Sequence, residues 1–284
     1  MPPFGPAHGA PSVSRGAQGV SIVKGHAYGN DFLLAPESDV EGRDLPALAR
    51  VMCSRHEGIG ADGLMVYAFG PSAVRMRLFN ADGSASEVSG NGIRCLAALV
   101  VRENAGATRV TVDTPAGRNV LELQDQHSDT FTFRASMGAP QDIRPIELEA
   151  AGERVQAVAL SVGNPQCVLL DDPLLESRLH KLGPAIEHHP KFPDRTNVSF
   201  VKIEAPNRIR ILIWERGVGP TQASGTGACG AAVAAASYGG ASRDIEVIAP
   251  GGSQRVEWLD DGIYLTGWAK LVFEGRWLGT ETRE

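Results

Sequence analysis

Two serines open the same short pattern in the two halves of this 284-residue chain. Ser89 begins Ser-Gly-Asn-Gly and Ser224 begins Ser-Gly-Thr-Gly, and an apolar run typical of a helix follows each. The free N–H groups and the dipole at a helix start bind anions. If the halves face each other, both starts can hold one carboxylate between the two hydroxyls. Such a pair suits moving a proton on or off the neighbouring carbon.

Further patterns recur in the same order in both halves. Gly29-Asn30-Asp31 is echoed by Gly163-Asn164-Pro165, and a strand, a Pro- and Gly-containing turn and a second strand follow each predicted helix. The duplication and the many strand patterns predict an α+β fold of two pseudo-symmetric halves. Each half is expected to be a curved, mostly antiparallel sheet around a central helix, with the active site in the cleft between them. Shorter helices are predicted at 45–53 and 174–180.

The predicted domain boundaries follow these repeats. Residues 1–20, rich in Pro, Gly, Ala and Ser, are expected to be a disordered leader, and residues 280–284 a tail. The first half is expected at 21–141 and the second at 142–279, with the break near Gly138-Ala139-Pro140. The sequence leaves open whether the final strand crosses back to the first half.

Composition excludes several classes of protein. The net charge is −6 and no Lys/Arg block is present, which argues against a nucleic-acid or anionic-membrane surface. The longest apolar runs are too short for a membrane span. Without an export signal, four scattered cysteines predict a cytoplasmic protein with no disulfide framework and no zinc site. Two of them, Cys95 and Cys229, lie in apolar helical runs and are predicted to fill the core.

The motifs together resemble those of the diaminopimelate epimerases, cofactor-independent amino-acid racemases built of two like-folded halves. The resemblance covers about 24–277, and it depends on the order and spacing of the motifs rather than on any one of them. The motifs are Gly-Asn-Asp-Phe at 29–32, Gly-Ile-Gly-Ala-Asp-Gly at 58–63, Phe-Asn-Ala-Asp-Gly-Ser at 79–84, Gly-Asn-Gly-Ile-Arg-Cys at 90–95, Gly-Asn-Pro at 163–165, Asn-Val at 197–198, Glu-Arg-Gly at 215–217 and Gly-Thr-Gly-Ala-Cys at 225–229.

This resemblance implies an isomerase that interconverts LL- and meso-2,6-diaminopimelate by two-base proton transfer at the α-carbon, in lysine and peptidoglycan precursor synthesis. It implies a small-molecule amino-acid substrate, a homodimer, and no metal, pyridoxal phosphate or nicotinamide. Ser89 and Ser224 occupy the catalytic positions. The implied substrate-binding residues are Asn30, Asn80, Gly90, Asn91, Asn164, Asn197, Glu215, Arg216, Gly225 and Thr226.

The chemistry of these side chains fits a substrate with two amino-acid ends. Arg216 offers a bidentate fork for a distal carboxylate, and Glu215 can pair with an ammonium group. Each residue also has a simpler interpretation. A Gly-x-Gly turn before a helix often serves only packing or phosphate binding, and Asn30, Asn80 and Asn197 also suit turns and caps.

The chain departs from the family pattern at the reacting positions. The family has cysteine at 89 and 224, and a serine hydroxyl is a far weaker acid than a thiol of pKa about 8.5. Gln166 and Pro220 stand where the family usually has His and Glu. The serines are compatible with substitution that stops the chemistry, with drift to a weak enzyme, or with a related reaction on a proline-like amino acid. A catalytically dead amino-acid-binding homologue is the non-enzymatic alternative.

Overall fold

A computed structural model describes residues 19–86 and 89–279, which form four α-helices and a continuous sheet of 17 strands. The helices are α1 Leu45–Cys53, α2 Gly90–Glu103, α3 Glu176–Glu187 and α4 Gly225–Tyr238. The strands are β1 Val20–Ala27, β2 Asn30–Pro36, β3 Gly63–Phe69, β4 Val74–Asn80, β5 Ala85–Ser86, β6 Arg109–Thr114, β7 Gly117–His127, β8 Thr130–Gly138, β9 Gln141–Ala150, β10 Glu153–Ser161, β11 Pro165–Leu170, β12 Asn197–Ala205, β13 Arg208–Glu215, β14 Gly219–Thr221, β15 Asp244–Ala249, β16 Gly252–Leu259 and β17 Gly262–Trp277.

The sequence duplication reappears as a duplicated strand topology. In the first half β2 pairs with β3 and β4 with β6 in parallel, and in the second half β11 pairs with β12 and β13 with β15 in the same way. The other strand pairs of the described residues are antiparallel. Helices α2 and α4, each 14 residues long, occupy equivalent places in the two halves. The predicted α+β fold of two like halves is therefore confirmed.

The two halves exchange strands at their junction. The long strand β17 pairs with β16 of its own half and also with β8 and β1 of the first half. Strand β9, which follows β8, pairs instead with β10 of the second half. The final strand thus does lie against the first half, and these cross-pairings fix the position of one half relative to the other.

One core cluster spans both halves and contains the two central helices. Helix α2 buries a continuous run from Asn91 to Val101, and the Ala-rich α4 is buried on nearly every side. A helix that is apolar all round has to be enclosed by other elements, and here strands of both halves enclose the pair. The small side chains of α4 let it lie close to strands and to α2, which it contacts. Two smaller clusters lie under α1 and α3.

The shorter helices show what the local pattern did and did not predict. The helix expected at 45–53 is confirmed as α1, which Asp44 caps by accepting a hydrogen bond from the Ala47 N–H at 3.1 Å. The bounds 174–180 were wrong, because α3 runs on through Pro184 to Glu187. Burial of Leu182 and Ile186 against the sheet offsets the hydrogen bond that proline cannot donate.

The predicted leader and tail fall largely outside the described residues. Positions 1–18 and 280–284 are not described, whereas Val20 is fully buried and already begins β1. Strand β1 thus begins one residue before the predicted start of the first half at 21.

Candidate functional site

Ser89 and Ser224 cap the two central helices in the same way. Ser89 Oγ accepts a hydrogen bond from the Gly92 N–H at 3.1 Å, and Ser224 Oγ accepts one from the Gly227 N–H at 3.2 Å. Both serines have extended backbones, as N-cap residues do. The N–H groups of the next two residues in each helix have no partner within the helix and are free for an anion.

The glycines of these motifs keep the helix starts open. A Cβ at Gly227 would come within 3.3 Å of Ser224 Oγ, and one at Gly92 would come within 2.6 Å of Met65 Cε. A side chain at Gly227 would press on Ser224, and one at Gly92 would displace the end of the Met65 side chain. At Gly90, by contrast, a Cβ would meet no heavy atom within 4 Å. The side of α2 beside Gly90 is therefore open space.

Amide side chains lie beside both helix starts, in equivalent positions. In the first half Asn91 Nδ2 donates to Asn30 Oδ1 at 3.3 Å. In the second half Asn164 Nδ2 donates to Thr226 Oγ1 at 3.3 Å. The partners are 61 and 62 residues apart in sequence, so the duplication has preserved this contact between a strand-start Asn and the second residue of a helix.

Gln166 has a specific contact in the second half. It is fully buried, and its Nε2 donates to Asn164 Oδ1 at 2.7 Å, while its Oε1 has no partner. The direction of donation follows from cost, since an unpaired carbonyl is tolerated better than an unpaired N–H. Gln166 thus holds the Asn164 amide so that its N–H points at Thr226. An uncharged amide makes this contact at any pH.

Asn197, Glu215 and Arg216 meet where strands β12 and β13 pair. Asn197 Nδ2 donates to the Pro165 carbonyl at 3.0 Å, and Asn197 Oδ1 accepts from the Arg216 backbone N–H at 3.0 Å. The Arg216 guanidinium donates to the Asp194 carbonyl at 2.9 Å. Burial raises the pKa of Glu215, against a smaller lowering by a hydrogen bond from Thr221. A nearby cation would therefore stabilise the ionised form of Glu215.

Glu187 holds this turn in place and was missed by the sequence analysis. Its buried carboxylate, at the end of α3, accepts hydrogen bonds from Trp214 Nε1 at 2.8 Å and from the Gly217 N–H at 2.9 Å. Arg195 Nη1 adds a contact at 3.3 Å. Burial alone would raise the pKa of Glu187, but these contacts outweigh it and lower the pKa. The sequence carried little signal, because α3 was expected to end seven residues earlier.

Several contacts bring the two halves together near the helix starts. The Tyr28 turn, just before Asn30, packs against Gly251, whose N–H donates to the Gln222 carbonyl at 2.8 Å, two residues before Ser224. The Tyr28 hydroxyl accepts a hydrogen bond from the Trp268 N–H of β17 at 3.1 Å. The first-half turn thus adjoins the loop that leads into α4.

The predicted residues form two separate groups. Asn30 and Asn91 form one, and Asn164, Thr226, Asn197, Glu215 and Arg216 lie in the other half; no hydrogen bond within 19–86 and 89–279 joins the groups directly. The Asn80 side chain donates to Ser84 Oγ at 2.9 Å in an exposed turn, and the next residue, Ala81, donates its N–H to the Asp62 carbonyl at 3.0 Å.

The four cysteines are buried free thiols. Burial raises the pKa of each of them to about 12. Cys95 on α2 and Cys229 on α4 fill the hydrophobic core, as their apolar context predicted. With pKa values this high, neither thiol is suited to act as a base. For the serines, the described part of the chain places no carboxylate or imidazole within hydrogen-bond distance of either Oγ.

Residues 19–86 and 89–279 contain no group of three or more His, Cys, Asp and Glu arranged to hold a metal ion. Within the same ranges, no helix has the length and apolar character needed to cross a bilayer. A surface cavity of about 900 Å³ lies between α1 and β3, and none of the predicted site residues line it.

The comparisons with known proteins agree on one family. The pattern described as diaminopimelate epimerase matches residues 22–143 and 158–272. A diaminopimelate epimerase from Desulforudis audaxviator is 42% identical over 91% of this chain and 99% of its own length. One from Pelotomaculum thermopropionicum is 40% identical over 90% of this chain and 98% of its own length.

Solved structures share the fold at lower identity. A predicted epimerase from Pseudomonas aeruginosa superposes with a TM-score of 0.70 at 15% identity, over 92% of this chain and 100% of that one. A hydroxyproline epimerase from Agrobacterium vitis superposes with a TM-score of 0.58 at 15% identity, over 90% of each chain. Identities this low show the fold alone.

Proposed function

Because this chain belongs to the diaminopimelate epimerase family, we propose that it interconverts LL- and meso-2,6-diaminopimelate by proton transfer at one α-carbon. The repeated arrangement of a capping serine and a neighbouring amide at both helix starts carries the proposal. Relatives named for this reaction cover nearly the whole chain, which disfavours a proline-like substrate.

The reacting carboxylate would bind between the starts of α2 and α4. The free N–H groups of Gly90, Asn91, Gly225 and Thr226 supply donors for it, and both helix dipoles favour negative charge there. Removing the α-proton shifts negative charge onto this carboxylate as it becomes enolate-like. Donors already in place stabilise that charge without having to reorganise.

Ser89 and Ser224 would stand on opposite faces of the α-carbon. In one direction the alkoxide of one serine takes the α-proton, while the opposite hydroxyl gives its proton to the other face and becomes the alkoxide; proton exchange with water then restores the starting state of both serines. The Gly92 and Gly227 N–H groups stabilise an alkoxide at each position. A helix start stabilises a negative charge by only about 0.3–2 kcal/mol, so serine forms its alkoxide far less readily than the cysteine of the family pattern forms its thiolate. Turnover is accordingly expected to be slow.

The distal end of the substrate would bind at the β13 turn. Arg216 pairs with the distal carboxylate of the substrate, and Glu215 pairs with its distal ammonium group. The ammonium group stabilises the ionised form of Glu215, which burial disfavours. Asn197 fixes the backbone of Arg216, and Asn164 adds an amide beside Thr226. A compact cyclic imino acid would leave these groups without partners, at a cost for each.

The test uses LL-diaminopimelate and the unaltered chain, with chiral separation of the products and calorimetric titration. We expect slow formation of the meso isomer. Arg216→Ala should raise the KM for diaminopimelate at least tenfold, because a charge-assisted pair contributes about 1.5–3 kcal/mol. Arg210→Ala, on the strand that leads to Arg216 but paired with Glu204 at the surface, is the matched control and should leave KM unchanged. Turnover of proline unaffected by Arg216→Ala would contradict the assignment.

We also propose a cytoplasmic homodimer, acting in lysine and peptidoglycan precursor synthesis. Four free buried thiols suit a reducing compartment. Val272, Phe273 and Leu278 expose apolar side chains on and after β17, and a second copy would cover them. Light scattering should give twice the mass of the chain, and Phe273→Lys should shift it toward the monomer.

A further inference from the structure

Arg94 is a buried cation without a carboxylate partner. It lies one turn into α2 and is 3% exposed. Within the described ranges no Asp or Glu is within salt-bridge distance of it, and its closest ring is that of Tyr28, 5.6 Å from the guanidinium carbon. It lies near enough to Cys229 of α4 to lower the pKa of that thiol, against the larger effect of burial. A buried charge is costly and calls for a compensating contact.

The contact that Arg94 makes is with a predicted site residue. Its Nη2 donates to Asn91 Oδ1, and its Nε has no partner. A guanidinium can only donate hydrogen bonds, so the oxygen of the Asn91 amide must face it. The nitrogen of Asn91 then faces outward, where it donates to Asn30 Oδ1 at 3.3 Å.

The opposite end of this chain of contacts is a carboxylate. Asn30 Nδ2 donates to Asp62 Oδ2 at 2.7 Å, and an ionised carboxylate can only accept. Asp62 is itself fixed by the Asp31 N–H at 3.0 Å and by Arg55 Nη2 at 2.8 Å. Arg94 and Asp62 thus impose one direction of donation on the two amides between them.

We propose that Arg94 is a positioning residue for the substrate site, with Asp62 as its counterpart at the other end. Together they hold Asn91 and Asn30 so that each amide oxygen faces an internal donor and the second N–H of each amide is left for a ligand. This face of the site therefore presents donors and selects a carboxylate rather than an ammonium. The role in substrate binding rests on the proposed function, whereas the fixed amide direction does not.

The experiment observes the amides directly and then measures binding. Asparagine labelled with ¹⁵N resolves the side-chain NH₂ signals of Asn30 and Asn91 by NMR. In Arg94→Met both NH₂ groups should exchange with water at least tenfold faster, including that of Asn30, which Arg94 does not touch. In Asp62→Ala the Asn91 NH₂ group should also exchange faster, because Asn30, which links the two residues, is no longer held. Arg102→Met, on the same helix but paired with Glu274, is the control and should leave both signals unchanged.

Calorimetric titration with meso-diaminopimelate supplies the second readout. Both variants should bind about tenfold more weakly than the parent, and the double variant should lose less than the sum of the two effects. An unchanged Asn30 signal in folded Arg94→Met overturns the inference, as does unchanged affinity in both variants. If Arg94→Met does not fold, Asp62→Ala is the deciding variant, because Asp62 is half-exposed and its loss is easier to tolerate. An unchanged Asn91 signal in that variant then overturns the inference. A parent that binds no diaminopimelate refutes the proposed function, and the NMR result still decides the amide direction.

Discussion

The Glu187 carboxylate accepts a hydrogen bond from the Gly217 N–H at 2.9 Å, which ties the end of α3 to the turn that carries Glu215 and Arg216. The same carboxylate accepts from Trp214 Nε1, so one buried side chain fixes both ends of this turn. A helix that contributes no predicted site residue therefore sets the position of the distal binding groups.

Replacing Glu187 by Gln should lower the free energy of unfolding by about 1–3 kcal/mol. The reason is that one of its two donors, Trp214 Nε1 or the Gly217 N–H, then faces an amide NH₂ and loses its acceptor. The low pKa of Glu187 also makes the free energy of unfolding depend on pH. The stabilisation from the ionised Glu187 is complete above its ordinary pKa of 4.5 and is lost as the pH falls through the lower folded pKa. Urea unfolding at pH 7 and pH 3 measures both effects. Glu176→Gln, exposed on the same helix, is the control, and an equal loss there would remove the special role of Glu187.

Diaminopimelate binding should release protons in mildly acidic solution. Burial raises the pKa of Glu215 above its ordinary 4.5 in the free protein, and pairing with an ammonium should lower it. The affinity should therefore fall as the pH drops through the free-protein pKa, by up to tenfold per pH unit. Calorimetry in buffers of different ionisation enthalpy measures the released protons. Glu215→Gln should abolish the release; release that persists in this variant would assign it to another group.

Replacing Gln166 by Leu should separate stability from function. The change removes a buried carbonyl that has no partner, so the free energy of unfolding should stay within about 1 kcal/mol of the parent or rise. Asn164 loses its donor, so kcat/KM should fall about tenfold. Gln254→Leu, another buried amide with an unpaired atom, is the matched control and should keep its activity. A loss of stability with full activity would contradict the contact assigned to Gln166.

Thiol reactivity tests the environment of the helix starts. The four native thiols are buried with pKa values raised to about 12, so dithionitrobenzoate at pH 8 should modify none of them until the chain unfolds. Ser89→Cys and Ser224→Cys should each add one reactive thiol, because a helix start stabilises the thiolate. The thiol at 89 should react faster, since position 224 is more deeply buried. An unreactive thiol at 89 would place that position away from a free helix start.

Much of the fold could be predicted because repeated local patterns encode it. The Gly-x-Gly motifs at Ser89 and Ser224 and the strands that follow them specify the same unit twice, and the structure contains it twice. The contacts of Glu187 and Asp62 could not be predicted, since each depends on residues that only the folded chain brings together. Arg94 did carry a signal: a charged residue inside an apolar helix indicates a buried cation, although not its partner Asn91.

The central claim is that Ser89 and Ser224 stand on opposite faces of one α-carbon. Ser89→Cys/Ser224→Cys should raise α-proton exchange in deuterated water by orders of magnitude, because a thiolate forms far more readily than an alkoxide. With cysteine at only one position and alanine at the other, a single face keeps its base. We predict that Ser89→Cys/Ser224→Ala exchanges the α-proton of one stereoisomer and Ser89→Ala/Ser224→Cys that of the other. Exchange of the same stereoisomer by both variants, or no exchange by the doubly substituted Cys protein, would contradict the account.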